Sequence, residues 1–404
     1  MLKQTRFSFA QVKVLEALFW SGSSSRALLA EETGFSRSKI NTTLASLFEE
    51  NYVKEVGEAP SSGGRRPESL SLTTAFGYLA AIDLGATSLD VALFDPAIML
   101  LARETIPIVI AEGPLPILAK ARALLEKAMA SAKITPKDLA AIGMGVPGPI
   151  EFDTGTLVSP PIMPGWSDFS VKEALEKNYR VPVFVDNDVN VMAFGELWRM
   201  GRAVPNFLLI KIGTGIGCGI VCHGMVYRGS NGAAGDVGHI CIAPNGMRCH
   251  CGNDGCVEVF AAGPAMSRQA VEAANSGKSV LLKEILDDKG ALTPEDIAQA
   301  SHAGDVAANA IIKAAGNAIG QMLATIINFF NPSHVLIGGG IAQTGPLLLA
   351  SIRQSVYQRS LALSTRHLEI QYAPLGEEAG IYGAAVMAAH ESLQMLAKKT
   401  EGAR

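Results

Sequence analysis

Three cysteines, Cys249, Cys251 and Cys256, stand close together in the chain, and His239 lies ten residues before the first of them. Thiolates are soft ligands, and three of them with one imidazole make the donor set of a four-coordinate structural zinc. Gly252 and Gly255 leave the intervening backbone free to turn tightly enough to aim the sulfurs at one centre. His250 and His223 compete with His239 for the fourth position, although His250 sits between two cysteines and is poorly placed to share a centre with both. The alternatives are a Cys249–Cys256 disulfide or plain buried thiols. Disulfides are rare in the cytosol, and residues 1–7 have no apolar signal core, so zinc is favoured. Cys218, Cys222 and Cys241 lie in apolar, strand-like stretches and are expected to be core thiols.

A second set of residues fits carbohydrate and phosphate chemistry. Val183–Val185 reads as a strand, Asp186-Asn187-Asp188 follows at its C-terminal end, and a helix is expected from Asn190. Ligands of α/β sheets bind at such strand ends. There a carboxylate can take a proton from a hydroxyl, and an amide can both donate to and accept from one. A cluster that merely caps the helix explains the same residues equally well. Two Gly-rich hairpins accompany this segment. Leu79–Asp95 reads as strand, loop (Asp83, Gly85, Ala86, Thr87), strand. Phe207–Val221 repeats the pattern around Gly213, Thr214, Gly215 and Gly217. Backbone without Cβ can approach a phosphate and donate N–H groups to it. A dinucleotide fold needs a helix directly after such glycines, whereas the apolar run after Gly217 reads as a strand. A glycine-lightened barrel corner is the structural alternative. A third apolar strand ends in Gly338-Gly339-Gly340.

The residues before position 76 read differently. Ser8, Ser25 and Ser36 are candidate N-caps for three short helices, the first ending near Ser21-Gly22 and the second at Gly34. Ile40, Leu44 and Leu47 form the buried stripe of the third. Its other face is expected to carry Arg37, Ser38, Lys39, Asn41, Thr42 and Thr43, short polar or cationic side chains suited to phosphates and base edges in a major groove. Strand-like Tyr52–Val56 and Ser69–Thr73 flank a turn that contains Arg65 and Arg66. Three helices followed by a hairpin with arginines at its tip make a winged helix-turn-helix. A small helical oligomerisation module would give the arginine-bearing turn no role.

The bulk numbers permit several domains and exclude little. The chain has 404 residues, 48% of them hydrophobic, with 41 glycines and a net charge of −4. Residues 1–75 carry nine Lys/Arg against eight Asp/Glu, so DNA binding would rest on local placement of cations rather than on global basicity. No apolar run reaches the length of a membrane span; residues 322–330 are apolar but short and read as a buried helix. A cytoplasmic protein with no membrane partner is expected.

The run Gly-His followed by Cys-x-Cys-Gly-x-x-Gly-Cys-x-Glu, ending at Glu258, resembles the ROK family of repressors and sugar kinases. The Asn187-Asp188-x-Asn190 motif, both Gly-rich hairpins and the Gly-Arg-Arg-Pro turn extend that resemblance from about residue 8 to 390. It implies an α/β fold of two duplicated, actin-like (sugar-kinase, ribonuclease-H-like) lobes behind a winged helix-turn-helix domain. The expected division is residues 1–75 for the DNA reader and 76–404 for the ROK domain. Lobe one would be about 76–192 plus the C-terminal helix after 380, and lobe two about 193–380. The resemblance further implies His239 as the fourth zinc ligand and Asp188 as the base of a kinase. Sugar contacts would come from Asn187, Asp188, Asp236, His239 and Glu258, with the Gly338–Gly339 segment near adenosine. The kinase form of the first loop reads Asp-x-Gly-Gly-Thr, and here Ala86 places a methyl where phosphate would press on backbone. Asp236 is likewise shorter than the family's Glu. The expectation is therefore a sugar-responsive regulator, a repressor of carbohydrate-metabolism genes, acting as a homodimer or homotetramer on a palindromic operator. The alternative is a sugar kinase that uses ATP and Mg2+. Trp166 is expected either at a pocket edge against a pyranose or buried as a structural residue.

Overall fold

The computed structural model describes residues 7–58 and 68–401. The chain divides into two compact units, Met1–Ala203 with Ala379–Arg404, and Val204–Glu378.

The first unit begins with α1 (Phe9–Ser21), α2 (Arg26–Thr33) and α3 (Arg37–Glu49), followed by β1 (Val53–Glu58) and β2 (Glu68–Leu72) paired antiparallel. The starts of the helices are set locally. The hydroxyls of Ser8, Ser25 and Ser36 accept from Gln11, Leu28 and Lys39 N–H respectively, each cap contributing about 1 kcal/mol. Gly34 takes the left-handed conformation that ends α2. Ile40, Leu44 and Leu47 are fully buried, as their spacing predicts.

The same unit contains a five-stranded sheet of β3 (Tyr78–Leu84), β4 (Ser88–Phe94), β5 (Leu100–Pro107), β6 (Leu139–Val146) and, after the small β7 (Ile150–Glu151)–β8 (Thr156–Leu157) hairpin, β9 (Val183–Asn187). The order is β5-β4-β3-β6-β9. The meander β3-β4-β5 is antiparallel, while β3, β6 and β9 are parallel. Helices α4 (Pro114–Ala132), α5 (Val171–Tyr179), α6 (Asp188–Arg199) and α14 (Ala379–Glu401) complete it. Trp166 has no exposed surface and donates Nε1–H to the Ile110 carbonyl at 3.2 Å, so it is the structural alternative that holds.

The second unit repeats the plan. Its sheet, β12-β11-β10-β13-β14, comprises β10 (Phe207–Ile212), β11 (Ile216–Cys222), β12 (Met225–Val226), β13 (His334–Gly338) and β14 (Glu369–Tyr372). It has the same antiparallel meander and parallel continuation as the first. The duplication expected from the two Gly-rich hairpins is thus present in the topology. The strand after Gly217 also removes the dinucleotide reading. Helices α7 (Glu258–Ala261), α8 (Gly263–Asn275), α9 (Val280–Lys289), α10 (Pro294–His302), α11 (Val306–Phe330), α12 (Pro346–Arg359) and α13 (Ala362–Thr365) pack around this sheet. Helix α11 is long and apolar enough to cross a membrane by composition. Its Ile311, Ile312, Ile319 and Leu323 nevertheless sit in the core of this unit, while Phe329 at its end is exposed. Helices α11 and α12 approach closely because Gly316 and Gly320 face Ser351 and Ser355.

The unit boundary falls after α6, not within it near residue 193. Packing explains the difference: α6 lies on α14, and at Gly383 the two backbones meet with no side chain between them. A Cβ at Gly383 would stand 1.8 Å from the Val191 carbonyl oxygen, and one at Gly143 of β6 would stand 2.0 Å from that of Ala384. Neither neighbour is a flexible side chain, so the backbones would have to part. Gly383→Ala is therefore expected to destabilise the protein by about 1–3 kcal/mol, read as a lowered thermal midpoint; an unchanged midpoint would contradict this packing.

Candidate functional site

The loop that carries the zinc-type residues is shaped by four glycines. Gly235 and Gly238 press on β11, where added Cβ atoms would come within 1.9 Å of the Cys218 oxygen and 2.3 Å of the Ile216 oxygen. His239, at the end of a short 3-10 turn (Val237–His239), is placed by that contact. Gly255 has φ +71, and a Cβ there would lie 1.7 Å from the Ala243 oxygen. Gly252, at φ +92, reverses the chain between Cys251 and Asn253.

These turns gather one ligand atom each from His239, Cys249, Cys251 and Cys256 within 4.8 Å of one another. The His239 Nδ1 to Cys249 Sγ distance is 3.7 Å, and Cys251 Sγ to Cys256 Sγ is also 3.7 Å. A tetrahedron built on Zn–S of about 2.3 Å and Zn–N of about 2.0–2.1 Å has edges of roughly 3.6–3.8 Å, so the donor set fits that ion. A disulfide does not fit: its sulfurs stand about 2.05 Å apart, and all six cysteines are free. By themselves the thiols titrate unequally. Burial, with neighbouring thiols, pushes Cys256 up to about 12, while the Asn253 N–H bond lowers Cys251. A bound dication would hold both as thiolates.

His223 stands in the β11–β12 turn outside this cluster. His250 belongs to a neighbouring one with His239 and Glu258. Its Nδ1 lies 3.3 Å from Glu258 Oε1, and its ring meets that of His239 edge-on. Glu258 Oε2 accepts the Ile216 N–H at 3.0 Å and fills the space beside Gly215. One carboxylate therefore ties the cysteine loop to the Gly213–Gly217 turn. Spacing did not reveal the His250–Glu258 contact. Nor did it reveal that Gln321 holds the Ile242 carbonyl, or that Arg268 and Gln269 hold those of Val259 and Phe260. Cys218 is buried and pushed up to about 12 by that burial. Cys241 is exposed, contrary to expectation, because it lies on an isolated bridge to Cys256 rather than in a sheet.

The other chemistry-bearing residues occupy strand ends. In the first unit the register sets Asp83 beside Gly145 and Gly145 beside Asp186. The Asp83 carboxylate reaches the first turn of α14 at Gly380, where a Cβ would stand 2.0 Å from Oδ2. Gly85 donates to the Ser88 carbonyl, closing the loop that contains Ala86 and Thr87. Asn187 is the N-cap of α6: its Oδ1 accepts the Val189 N–H and its Nδ2 donates to the Gly148 carbonyl, both at 3.1 Å. Asp188 is the first residue of that helix, and Asp186 is buried, accepting from Asn190. In the second unit Gly213 bonds Gly215 across the turn. Gly338 pairs with Lys211, and Gly339, at φ +86, packs on Ile212. The turn with Thr214, Gly215 and Gly217 therefore adjoins Gly338–Gly339 at the ends of the sheet's interior strands. Asp236 is exposed at the start of the turn that ends in His239.

On α3, Arg37, Ser38, Lys39, Asn41 and Thr42 are exposed. Thr43 is not: it is 5% exposed, because it follows Ile40 by three residues and shares the buried face with Leu44 and Leu47. Arg65 and Arg66 lie outside the described residues. Arg26, at the start of α2, reaches Asn41 Oδ1 and Phe48 of α3 and Glu55 of β1. Its position directly after an N-cap serine gave no hint of that bridging.

Two lobes of this topology, with glycine turns, acidic strand ends and a cysteine-rich loop, define a sugar-kinase-like scaffold, here joined to a helix-turn-helix. The ROK family model matches residues 79–391, and the chain belongs to the ROK family. It is 32% identical to a putative xylose repressor of Caldicellulosiruptor sp. (strain Rt8B.4) over 372 residues, 91% of this chain and 92% of that protein. It is 35% identical to a glucokinase of Halalkalibacterium halodurans over 308 residues, 76% and 93% respectively. Among solved structures it matches a ROK family transcriptional regulator described as a homologue of the E. coli MLC protein. That match has a TM-score of 0.80 at 27% identity and covers 96% of this chain and all of the other.

Purified protein is expected to contain about one zinc per chain, and Cys251→Ser to lose it together with several degrees of thermal stability. Elemental analysis showing no zinc in the unsubstituted protein would refute the assignment.

Proposed function

We propose that this protein is a sugar-responsive transcriptional repressor of carbohydrate-metabolism genes. The observation that carries the reading is the union of a capped helix-turn-helix, bearing an exposed polar α3, with a ROK scaffold. The 372-residue match to the putative xylose repressor is longer than residues 79–391, so it extends beyond the family domain. The 308-residue match to the glucokinase is not longer.

In this reading α3 enters a major groove with Arg37, Ser38, Lys39, Asn41 and Thr42. Arg65 and Arg66 contact the adjacent backbone, and two copies read a palindrome, which requires a homodimer or homotetramer. The effector is a sugar held by Asn187, Asp188, Asp236, His239 and Glu258. Structural zinc at His239, Cys249, Cys251 and Cys256 keeps His239 in place for it. The site of action is the cytoplasm. Sugar changes operator affinity only to the extent that it binds the DNA-competent and incompetent states differently.

The glucokinase relative and the retained Asp83 and Asp188 support a second reading, an ATP- and Mg2+-dependent sugar kinase with Asp188 as base. The repressor reading expects negligible sugar phosphorylation in a coupled ATP assay. Turnover that disappears in Asp188→Asn while sugar still binds would establish the kinase instead.

The direct test is fluorescence anisotropy of the full chain on duplexes that it selects from a random pool. Salt-sensitive binding altered by D-xylose, D-glucose or N-acetyl-D-glucosamine is expected. Lys39→Ala should weaken it and reduce the salt slope by roughly one for each phosphate that the lysine neutralises. Failure to select any sequence would reject the reading.

A further inference from the structure

Helix α6 begins at Asp188, one of the residues assigned to the sugar, and ends at Arg199. Its twelve residues span about 18 Å at 1.5 Å each. Midway, Phe194 packs on His390 of α14, ring centroids 5.7 Å apart. The His390 ring also meets Trp20 of α1 edge-on at 5.6 Å. All three rings are buried, Trp20 to 4% and Phe194 and His390 to 2% exposure.

Beyond the end of α6 the chain turns through two successive left-handed residues, Gly201 and Arg202, both at φ +60. A left-handed arginine is uncommon. This one is fixed by its N–H, which donates to the Leu197 carbonyl at 3.2 Å. The turn sets the Arg202 guanidinium over the Trp20 ring, 4.5 Å from its centroid. Burial lowers the Arg202 pKa, and the carboxylates of Glu16 on α1 and Glu32 on α2 offset part of that cost. Glu16 also accepts from Gln394 of α14 at 3.1 Å. One residue past Arg202 the chain leaves the first unit at Ala203, and it returns at Ala379, where α14 begins.

We propose that α6 and the Arg202 turn that ends it transmit sugar occupancy to the DNA reader, with Arg202 as the positioning residue that ties α1 to the segment leaving the unit. This rests on the repressor reading. A ligand at Asn187 and Asp188 acts on the first turn of α6. Because the Gly383 contact leaves α6 no slack against α14, displacement of α6 is passed to Phe194, His390 and Arg202, and from them to Trp20. Arg202 is not among the residues assigned to the sugar or to the DNA-facing side of α3. It governs the coupling between the two sites rather than either affinity alone.

The test compares the full-length protein with Arg202→Gln, Arg202→Lys and Phe194→Leu, using a duplex selected by the unsubstituted chain. Operator affinity is measured without sugar and with D-xylose, D-glucose and N-acetyl-D-glucosamine. Couplings of this kind change affinity about 5–150-fold. Arg202→Gln is expected to reduce the sugar-dependent ratio to within about threefold of unity, and by reciprocity to make sugar affinity independent of DNA. Zinc content, cooperative unfolding and sugar-free operator affinity should persist, and Arg202→Lys should retain part of the ratio. If Arg202→Gln does not fold, Phe194→Leu, nearly volume-conserving, is judged by the same ratio. A folded variant with the ratio of the unsubstituted protein overturns the inference and leaves the repressor reading standing. An unsubstituted protein that binds its duplex equally with and without every sugar removes the sugar response itself, and this inference with it.

Discussion

The close approach of α6 and α14 is the constraint on which the first unit depends. Gly383 lets the backbone of α14 rest against Val191, and Gly143 lets β6 rest against Ala384. At these two points backbone meets backbone with no side chain between, so sheet, α14 and α6 are held at fixed spacing. Interiors packed at crystal-like density pass on displacement rather than absorb it. The strand end that presents Asp186 and Asn187 feeds directly into α6, and α14 carries the aromatic and polar groups on which α1 sits. The reader is thus built onto the helix pair that backs the acidic strand ends.

The cysteine-rich loop solves a different problem. The segment from His239 to Glu258 has little regular structure, so its backbone groups need partners from elsewhere. A long side chain from α11 supplies one of them, Gln321 bonding the Ile242 carbonyl, and Arg268 and Gln269 of α8 bond the Val259 and Phe260 carbonyls of α7, which follows the segment directly. Glu258 bonds the Ile216 N–H on the opposite side. A metal would close the loop from within while these bonds hold it from without. An ion is better suited than a disulfide here, because the four donors converge on a point rather than in pairs.

Features encoded within a few residues were legible in the sequence. The serine caps of α1, α2 and α3, the glycine ends, the converging cysteines and the two Gly-rich hairpins each follow from local rules, and each stands where spacing puts it. Thr43 was misassigned because a run of polar residues on a helix spans both faces, and only the 100° step per residue separates Thr42 from Thr43. Cys241 departs from its expectation because its apolar stretch forms an isolated bridge and not a sheet. The contacts of Trp20 with His390 and Arg202 had no local signal: the partners are far apart in sequence, and hydrophobic periodicity reports that a side chain is buried without saying against what. Likewise the N-cap and ligand readings of Asn187 could not be separated by type. The structure shows its amide already bonded to Val189 and Gly148, and an amide with two fixed partners still has an N–H and an acceptor lone pair to offer.

A repressor that shares a scaffold with kinases requires more of its sugar than occupancy. A hundredfold release from DNA corresponds to about 2.7 kcal/mol of differential binding, and a sugar that fits both states equally releases nothing. The contacts joining α1 to the rest of its unit are individually weaker than that, and a few of them together are comparable to it. A guanidinium over an indole contributes about 0.5–2 kcal/mol, the upper end where both are shielded from water, and aromatic pairs about 0.5–1.5 kcal/mol. An interface of a few such contacts is strong enough to fix the reader in one orientation and weak enough for one ligand to shift. A larger apolar interface would hold the reader against any sugar, and a solvent-exposed salt bridge, at about 0–1 kcal/mol, would not hold it at all. Half-burying Arg202 over Trp20, with Glu16 and Glu32 offsetting part of the burial cost, places the contact between those limits.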